Sequence, residues 1–343
     1  MISIRETANK MVQYVLPEHS NNHGTLHGGI LMDWIMLTGS ITSFKFANGP
    51  AVLGATDSID FLNPVKIGEI VVLESWVEHV GNSSIEIAVR VHSEDGETNK
   101  RKLITLSYMS YIAVDESVRP RKIKAKLNPS STVERELVAW AEKRKIKRIP
   151  EIKKRKSNVS NIADETENTR LNFNTTKMIL PEDAFYGELM SVGKLMKYID
   201  ESAAILAKRF AKGVLVTGSL DDLFFYSPLN VGNLVEFKAG ITYVGKRSLE
   251  LAIKVDSYDT KTRESSNACT AFLTYVKVDK EGNPVAIPEF TPETPYEIRL
   301  WKEAEKRKDR RKERVERTKG LADDYLNEYK KVSSRLKKNK GNM

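Results

Sequence analysis

Nine residues near the start, Asn21-Asn22-His23-Gly24-Thr25-Leu26-His27-Gly28-Gly29, set a side-chain amide, two imidazoles and Cβ-free backbone just before a long apolar segment. If that segment is a helix, its first N–H groups lack helical partners and sit at the positive end of its dipole. Glycines at that point let a ligand approach the backbone closely. This is equipment for holding the oxygen of a polarised carbonyl. A Gly-rich turn that binds nothing has the same composition, so the loop alone leaves both readings open. His27 could serve as a base, but no acid stands at a spacing that makes a dyad, and it reads as a histidine that shapes the turn. His19, His23 and His27 are four apart, which on a helix would align three ligands. Pro17, Gly24 and Gly28 make the stretch a loop instead, which speaks against a metal site.

The elements that would position this loop occur twice. At an offset of 164 residues, Pro17-Glu18 meets Pro181-Glu182, and Gly29-x-Leu31-Met32 meets Gly193-x-Leu195-Met196. Pro64 and Gly68 meet Pro228 and Gly232; Tyr111-x-x-Val114-Asp115 meets Tyr275-x-x-Val278-Asp279. One domain has been duplicated. Each copy opens with a short apolar run, Met11–Leu16 or Lys177–Leu180. An apolar segment at helical spacing follows, through Leu31, Trp34, Ile35, Thr38 and Ile41 in the front half and Leu195, Met196, Ile199, Ala203 and Leu206 in the rear. Apolar over much of its circumference, each helix must be largely buried. Strand patterns come next: Ile70–His79, Ile85–His92 and Leu103–Val114, then Leu234–Val244, Leu249–Val255 and Ala268–Val278. Short breaks between them predict antiparallel meanders, hence an α+β fold with a sheet wrapped around one helix in each half.

Each body is trailed by a helix announced by a capping box, Ser131-x-x-Glu134 and Thr294-x-x-Glu297, and both lead to Ala-Glu-Lys-Arg-Lys. Val133, Leu137, Trp140 and Arg144 share a face, which predicts docking through a narrow apolar stripe. Residues 150–170 read as a polar linker, and the tail past Gly320 as helical at first. The expected domains are 1–118, 119–170 (basic helix and linker), 171–290 and 291–343 (basic tail). The net charge of +9 is uneven: residues 119–160 hold 15 basic and 4 acidic side chains, residues 301–343 hold 16 and 8, and the bodies are net acidic. Without interleaved aromatics or a groove-fitting motif, the basic segments read as solvated helix faces rather than a nucleic-acid site. No apolar run is long enough to span a membrane. A start without a secretory core and a single cysteine, Cys269, predict a reducing, cytoplasmic setting.

The pattern Asn-x-x-Gly-x-x-His-Gly-Gly, then an apolar helix, then Asn63-Pro64-Val65-x-x-Gly68-Glu69 and Val80-Gly81-x-x-Ser84, resembles the tandem hotdog-fold acyl-CoA thioesterases. The resemblance covers both repeats and the trailing helices, and is weaker at Gly187-Glu188-Leu189-Met190-Ser191-Val192-Gly193. It implies two hotdog domains paired in one chain, with clefts at their interface. Each cleft takes an Asn from one loop and a carboxylate from the other half's central helix, seven residues past the second Gly. In the front half that position is Met36, and in the rear half it is Asp200. The loop Asn is Asn21 in the front half, against Phe185 in the rear. The defects are complementary and leave one composite site, Asn21 with Asp200. There Asp200 is implied as general base or nucleophile, and the Gly28 and Gly29 N–H groups as oxyanion hole. A helix carboxylate paired with Lys197 or Lys208 is the plainer alternative for Asp200, and Glu201 is the rival acid. Asp33 reads as a solvent-side charge. The hairpin Gly245-Lys246-Arg247-Ser248 is the candidate for coenzyme A phosphates. The implied reaction is acyl-CoA hydrolysis with no metal or redox cofactor, in a homo-oligomer, a trimer of double-hotdog chains. An acyl-CoA-binding protein without turnover is the alternative.

Overall fold

The computed structural model describes residues 2–98, 100–157 and 169–340. Its front half holds β1 (Asn9–Tyr14), α1 (Gly28–Ala47), β2 (Ala51–Thr56), β3 (Ile59–Asp60), β4 (Ile70–Val80), β5 (Ser84–Glu94) and β6 (Arg101–Ala113). After α2 (Thr132–Ser157) come β7 (Asn172–Met178), β8 (Ala184–Tyr186), β9 (Leu189–Met190), α3 (Val192–Ala211), β10 (Val214–Leu220) and β11 (Leu223–Phe224). The rear half ends with β12 (Leu234–Val244), β13 (Ser248–Tyr258), β14 (Ser265–Val278) and α4 (Pro295–Lys340).

The meanders β4–β5–β6 and β12–β13–β14 form where expected. The first sheet runs β1-β4-β5-β6-β2-β11 and the second β3-β10-β14-β13-β12-β7, with antiparallel pairing throughout both. The sequence reading missed β2 and β10, and with them an exchange: β3 of the front half joins the rear sheet, and β11 of the rear half joins the front sheet. Phe61 N–H donates to Gly218 O and Phe225 N–H to Gly54 O, both at 3.0 Å, so the halves are stitched through backbone on both sides. The concave faces close on α1 and α3, which also pack on each other.

That helix crossing depends on two glycines at the repeat offset. A Cβ on Gly29 would sit 3.1 Å from Asp200 Oδ2 and from Lys197 Cα. A Cβ on Gly193 would meet the Asp33 carboxylate and lie 2.8 Å from its backbone oxygen. Asp33 is therefore not a solvent-side charge: it is wedged into the crossing, where burial raises its carboxyl above the usual range against the pull of Lys194 and Lys197.

The trailing helices correct two expectations. Val133 and Trp140 are 65% and 59% exposed, while Glu134, Ala141 and Arg148 are buried. The docking face of α2 is thus polar, because the sheet face it covers is acidic. Arg148 donates to Asp57 Oδ1 at 2.7 Å and to Glu86 Oε2 at 2.8 Å, and Arg144 pairs with Glu78. On α4, Arg307 and Arg311 reach Glu250 at 2.7 and 2.8 Å, and Arg311 reaches Asp221 at 2.7 Å. Arg314 crosses to the front half's Asp60 at 2.8 Å. These arginines are not solvated helix faces; they neutralise the acidic bodies from within the chain. The helix α2 also runs on through Pro150 to Ser157, into the expected linker, at the cost of one backbone hydrogen bond. Residues 158–168 of that linker lie outside the described residues.

Glu297 fixes the start of α4. It accepts the Arg170 guanidinium at 3.0 Å and the Glu293 N–H at 2.9 Å, while its own N–H donates to Thr294 Oγ1 at 3.1 Å. Burial pushes its carboxyl up, but Arg170 and the backbone donors prevail and bring it down to about 2. A depressed carboxylate stabilises the fold fully above its unfolded value near 4.5 and loses that contribution as pH falls toward 2. Urea midpoints measured between pH 5 and 3 should therefore fall more steeply for wild type than for Glu297→Gln. Parallel slopes would contradict this.

Candidate functional site

The front-half loop is built by its own asparagine. Asn21 Oδ1 accepts the His23 N–H at 2.9 Å and the Thr25 N–H at 3.3 Å, and Asn21 Nδ2 donates to Thr25 Oγ1 at 3.0 Å. This is the local side-chain turn that Asn favours. Gly24 (φ +75°) supplies the left-handed residue in it. The Asn63–Gly68 motif braces the loop from outside, with Leu26 N–H donating to Val65 O at 2.8 Å. The three histidines diverge. His19 stacks edge-on against Trp34, and a Cβ on Gly282 would lie 3.5 Å from His23 Nε2. His27 is the N-cap of α1, its Nδ1 accepting the Gly29 N–H at 3.1 Å.

Where the loop becomes α1 it meets Asp200. This carboxylate, on the middle of α3, is fully buried. Gly29 N–H donates to its Oδ2 at 2.8 Å. Thr217 Oγ1 and Tyr275 Oη donate to its Oδ1 at 2.9 and 2.7 Å. Thr217 and Tyr275 are direct partners across β10 and β14, so their side chains leave the same face of the sheet and converge. Burial, then the negative charge of Asp200, holds the Tyr275 phenol proton on well above the usual range, so it remains a donor. His27 Nδ1 lies 3.3 Å from Asp200 Oδ2. Both atoms accept the same Gly29 N–H, so His27 and Asp200 share one donor and do not form an acid–base dyad. Glu201 points elsewhere: it is 45% exposed and pairs with Lys197 at 3.8 Å.

The glycines divide their work. The Gly29 N–H is committed to Asp200, so it is not the idle oxyanion donor that the sequence suggested. The Gly28 N–H has no hydrogen-bond partner among the described residues. A Cβ on Gly28 would lie 2.5 Å from Thr217 Oγ1, so only glycine fits between α1 and β10. The turn Gly245-Lys246-Arg247-Ser248 joins β12 to β13, with Lys246 and Arg247 exposed and Gly245 N–H donating to Ser248 O at 2.8 Å. Ser248 pairs with Val276, next to Tyr275, so this turn lies at the same end of the rear sheet as Asp200.

Thr217 and Tyr275 were not foreseen as site residues. Tyr275 was visible as a repeat landmark. Thr217 lay hidden in a short strand whose alternation is interrupted by the bulge at Gly218. Cys269 is fully buried and its thiol is pushed far up by burial, which leaves it unreactive.

Among known proteins, the family model described as the thioesterase superfamily matches this chain twice, over residues 23–100 and 188–264. The cytosolic acyl coenzyme A thioester hydrolase of Mus musculus is 26% identical over 312 residues, which cover 87% of this chain and 81% of that one. A Bacillus subtilis protein described as an uncharacterized acyl-CoA thioester hydrolase is 37% identical over 147 residues, 43% of this chain and 86% of that one. A solved Lactobacillus plantarum structure described as an oleoyl thioesterase is 8% identical, covering 82% of this chain and 97% of its own at a TM-score of 0.54, which bears on the fold alone. The duplicated sheet-and-helix unit and these matches agree: the chain belongs to the thioesterase superfamily, as two hotdog domains in tandem.

Proposed function

We propose that the chain hydrolyses acyl-CoA thioesters to free CoA and a carboxylic acid at one composite site per chain, centred on Asp200. The observation that carries this is the union of halves at a single carboxylate, with the rear half's acid held by the front half's Gly29 N–H at 2.8 Å. Asp200 acts as general base. Three hydrogen bonds hold it in place, which favours taking a proton from water over moving an oxygen onto the acyl carbon. The water oxygen bonds to the carbonyl carbon, the carbonyl oxygen gains negative charge, the C–S bond then breaks, and the sulfur receives the proton. The Gly28 N–H and the positive end of α1 stabilise the oxyanion. One N–H of the Asn21 amide is spent on Thr25, and the second orients the water or the carbonyl. Lys246 and Arg247 receive CoA phosphates. Side chains and backbone supply every step, with CoA entering as part of the substrate and no resident cofactor invoked.

Two wider expectations accompany this reading. The cytosolic mouse relative supports a cytoplasmic setting, and no described helix is long and apolar enough to cross a membrane. Exposed apolar side chains on the outermost strands, Val12 and Tyr14 on β1 and Met178 on β7, support a homo-oligomer such as a trimer of chains. The activity is tested by following thiol release from a panel of acyl-CoAs of increasing length. Turnover of at least one is expected; binding of all without release would favour the non-catalytic alternative.

A further inference from the structure

The repeat that builds the Asp200 site builds its counterpart on the other side of the molecule, and there the structure holds a cavity of about 420 Å³. The frame is the same. Tyr111, the counterpart of Tyr275, donates to Met36 O at 3.0 Å, as Tyr275 does to Asp200 O at 2.9 Å. Met190 N–H donates to Leu229 O at 2.9 Å, the counterpart of Leu26 N–H to Val65 O. The chemistry has been exchanged. At the repeat offset, Asn21 becomes Phe185 and Thr25 becomes Leu189. Gly28 becomes Val192, Thr217 becomes Leu53, and the acid itself becomes Met36. Of these, Phe185, Leu189, Val192 and Leu53 line the cavity. No Lys, Arg, Asp or Glu lines it.

We infer that this second cleft is a non-hydrolytic binding site for a long acyl chain. This rests on reading the Asp200 cleft as the acyl-CoA site. A cleft inherited from the same fold keeps the shape that admits an acyl group, and replacing the loop amide, the two threonine hydroxyls and the acid by apolar side chains removes turnover and favours chain burial. Its volume lies within the range of roughly 300–1,000 Å³ typical of small-molecule sites. The chain can be presented as a free fatty acid or as the acyl arm of acyl-CoA; both share the chemistry that the cavity reads.

The test is calorimetric titration of the full-length protein with the acid hexadecanoate and, separately, with the non-hydrolysable thioether hexadecyl-CoA. Hexadecanoate alone should bind, and where the thioether takes only one equivalent it should still bind at saturating thioether. Its affinity should drop about tenfold for every two methylenes removed from the chain. Leu189→Trp, which fills the cavity, should weaken that binding at least tenfold while acyl-CoA hydrolysis stays within about twofold of wild type. Ser117→Trp, on the exposed rim, does the same from a position that carries no core packing. Two equivalents of thioether per chain would identify acyl-CoA as the occupant, and one equivalent alongside hexadecanoate would identify the free acid. Binding unchanged in both variants, or no hexadecanoate bound by wild type that hydrolyses acyl-CoA, would overturn the inference. Binding that is lost in the variants of a protein without hydrolysis would instead overturn the catalytic reading and leave the cavity assignment standing.

Discussion

Asp200→Asn is expected to lower kcat for acyl-CoA hydrolysis by about 10³-fold, within the usual 10²–10⁴-fold contribution of a positioned acid–base group, with KM changed by no more than about threefold. The substitution removes the base but keeps the site assembled. Asn can turn its oxygen toward the Gly29 N–H and its amide toward Thr217 and Tyr275, whose hydroxyls accept as readily as they donate. Thermal unfolding should accordingly stay close to wild type. Steady-state kinetics on one acyl-CoA substrate, paired with a melting curve, separates this outcome from simple misfolding. Retention of full kcat would remove Asp200 from the mechanism.

Arg148→Ala is expected to destabilise the fold by about 3–5 kcal/mol, the cost of leaving a buried charge without its partner. Arg148 is 5% exposed and Glu86, on the sheet face beneath it, is 2% exposed. With the guanidinium gone, Glu86 keeps the Ser110 hydroxyl at 2.8 Å. Asp57 keeps Arg144, at 3.9 Å. Replacing both members of the pair, Arg148→Met with Glu86→Leu, should cost far less than Arg148→Ala, since neither charge is then stranded. Chemical denaturation of the three variants checks the order. Equal losses for the single and double variants would mean that α2 docks by packing rather than by charge.

That docking is where sequence reasoning went furthest astray, and the reason is physical. Apolar periodicity finds the face of a helix that meets an apolar surface. Here the surface is acidic, so the docking face is turned from the expected stripe toward Ala141 and Arg148; Arg144, expected on that stripe, does dock, while the apolar Val133 and Trp140 point outward. The long strands were legible because their alternation runs for ten or more residues, as in β4, β5 and β12. β2 and β10 were not, because bulges at Gly54 and Gly218 break a pattern only six or seven residues long. The two-residue strands β3 and β11 carry no periodic signal at all, so the exchange between sheets could not be seen. Asp200 was singled out by the resemblance to the thioesterases, which marks the position seven residues past the second Gly, Met36 in one repeat and Asp200 in the other; its hydrogen-bond partners were not legible. Which helix residue Thr217 and Tyr275 meet is set by how β10 and β14 are wrapped around α3, and a period of two says nothing about that. The loop Asn21–Gly29 was read as a unit, but only the structure shows that the Gly29 N–H is already committed to the acid.

A double-mutant cycle in kcat/KM on Asn21→Ala and Asp200→Ala tests most directly whether the two halves act as one catalytic unit. If they do, each single change costs at least about a hundredfold. The combined change then costs little more than the Asp200 change alone, because groups acting together are strongly non-additive. Independent, multiplying losses, or full activity after either single change, would contradict a shared site.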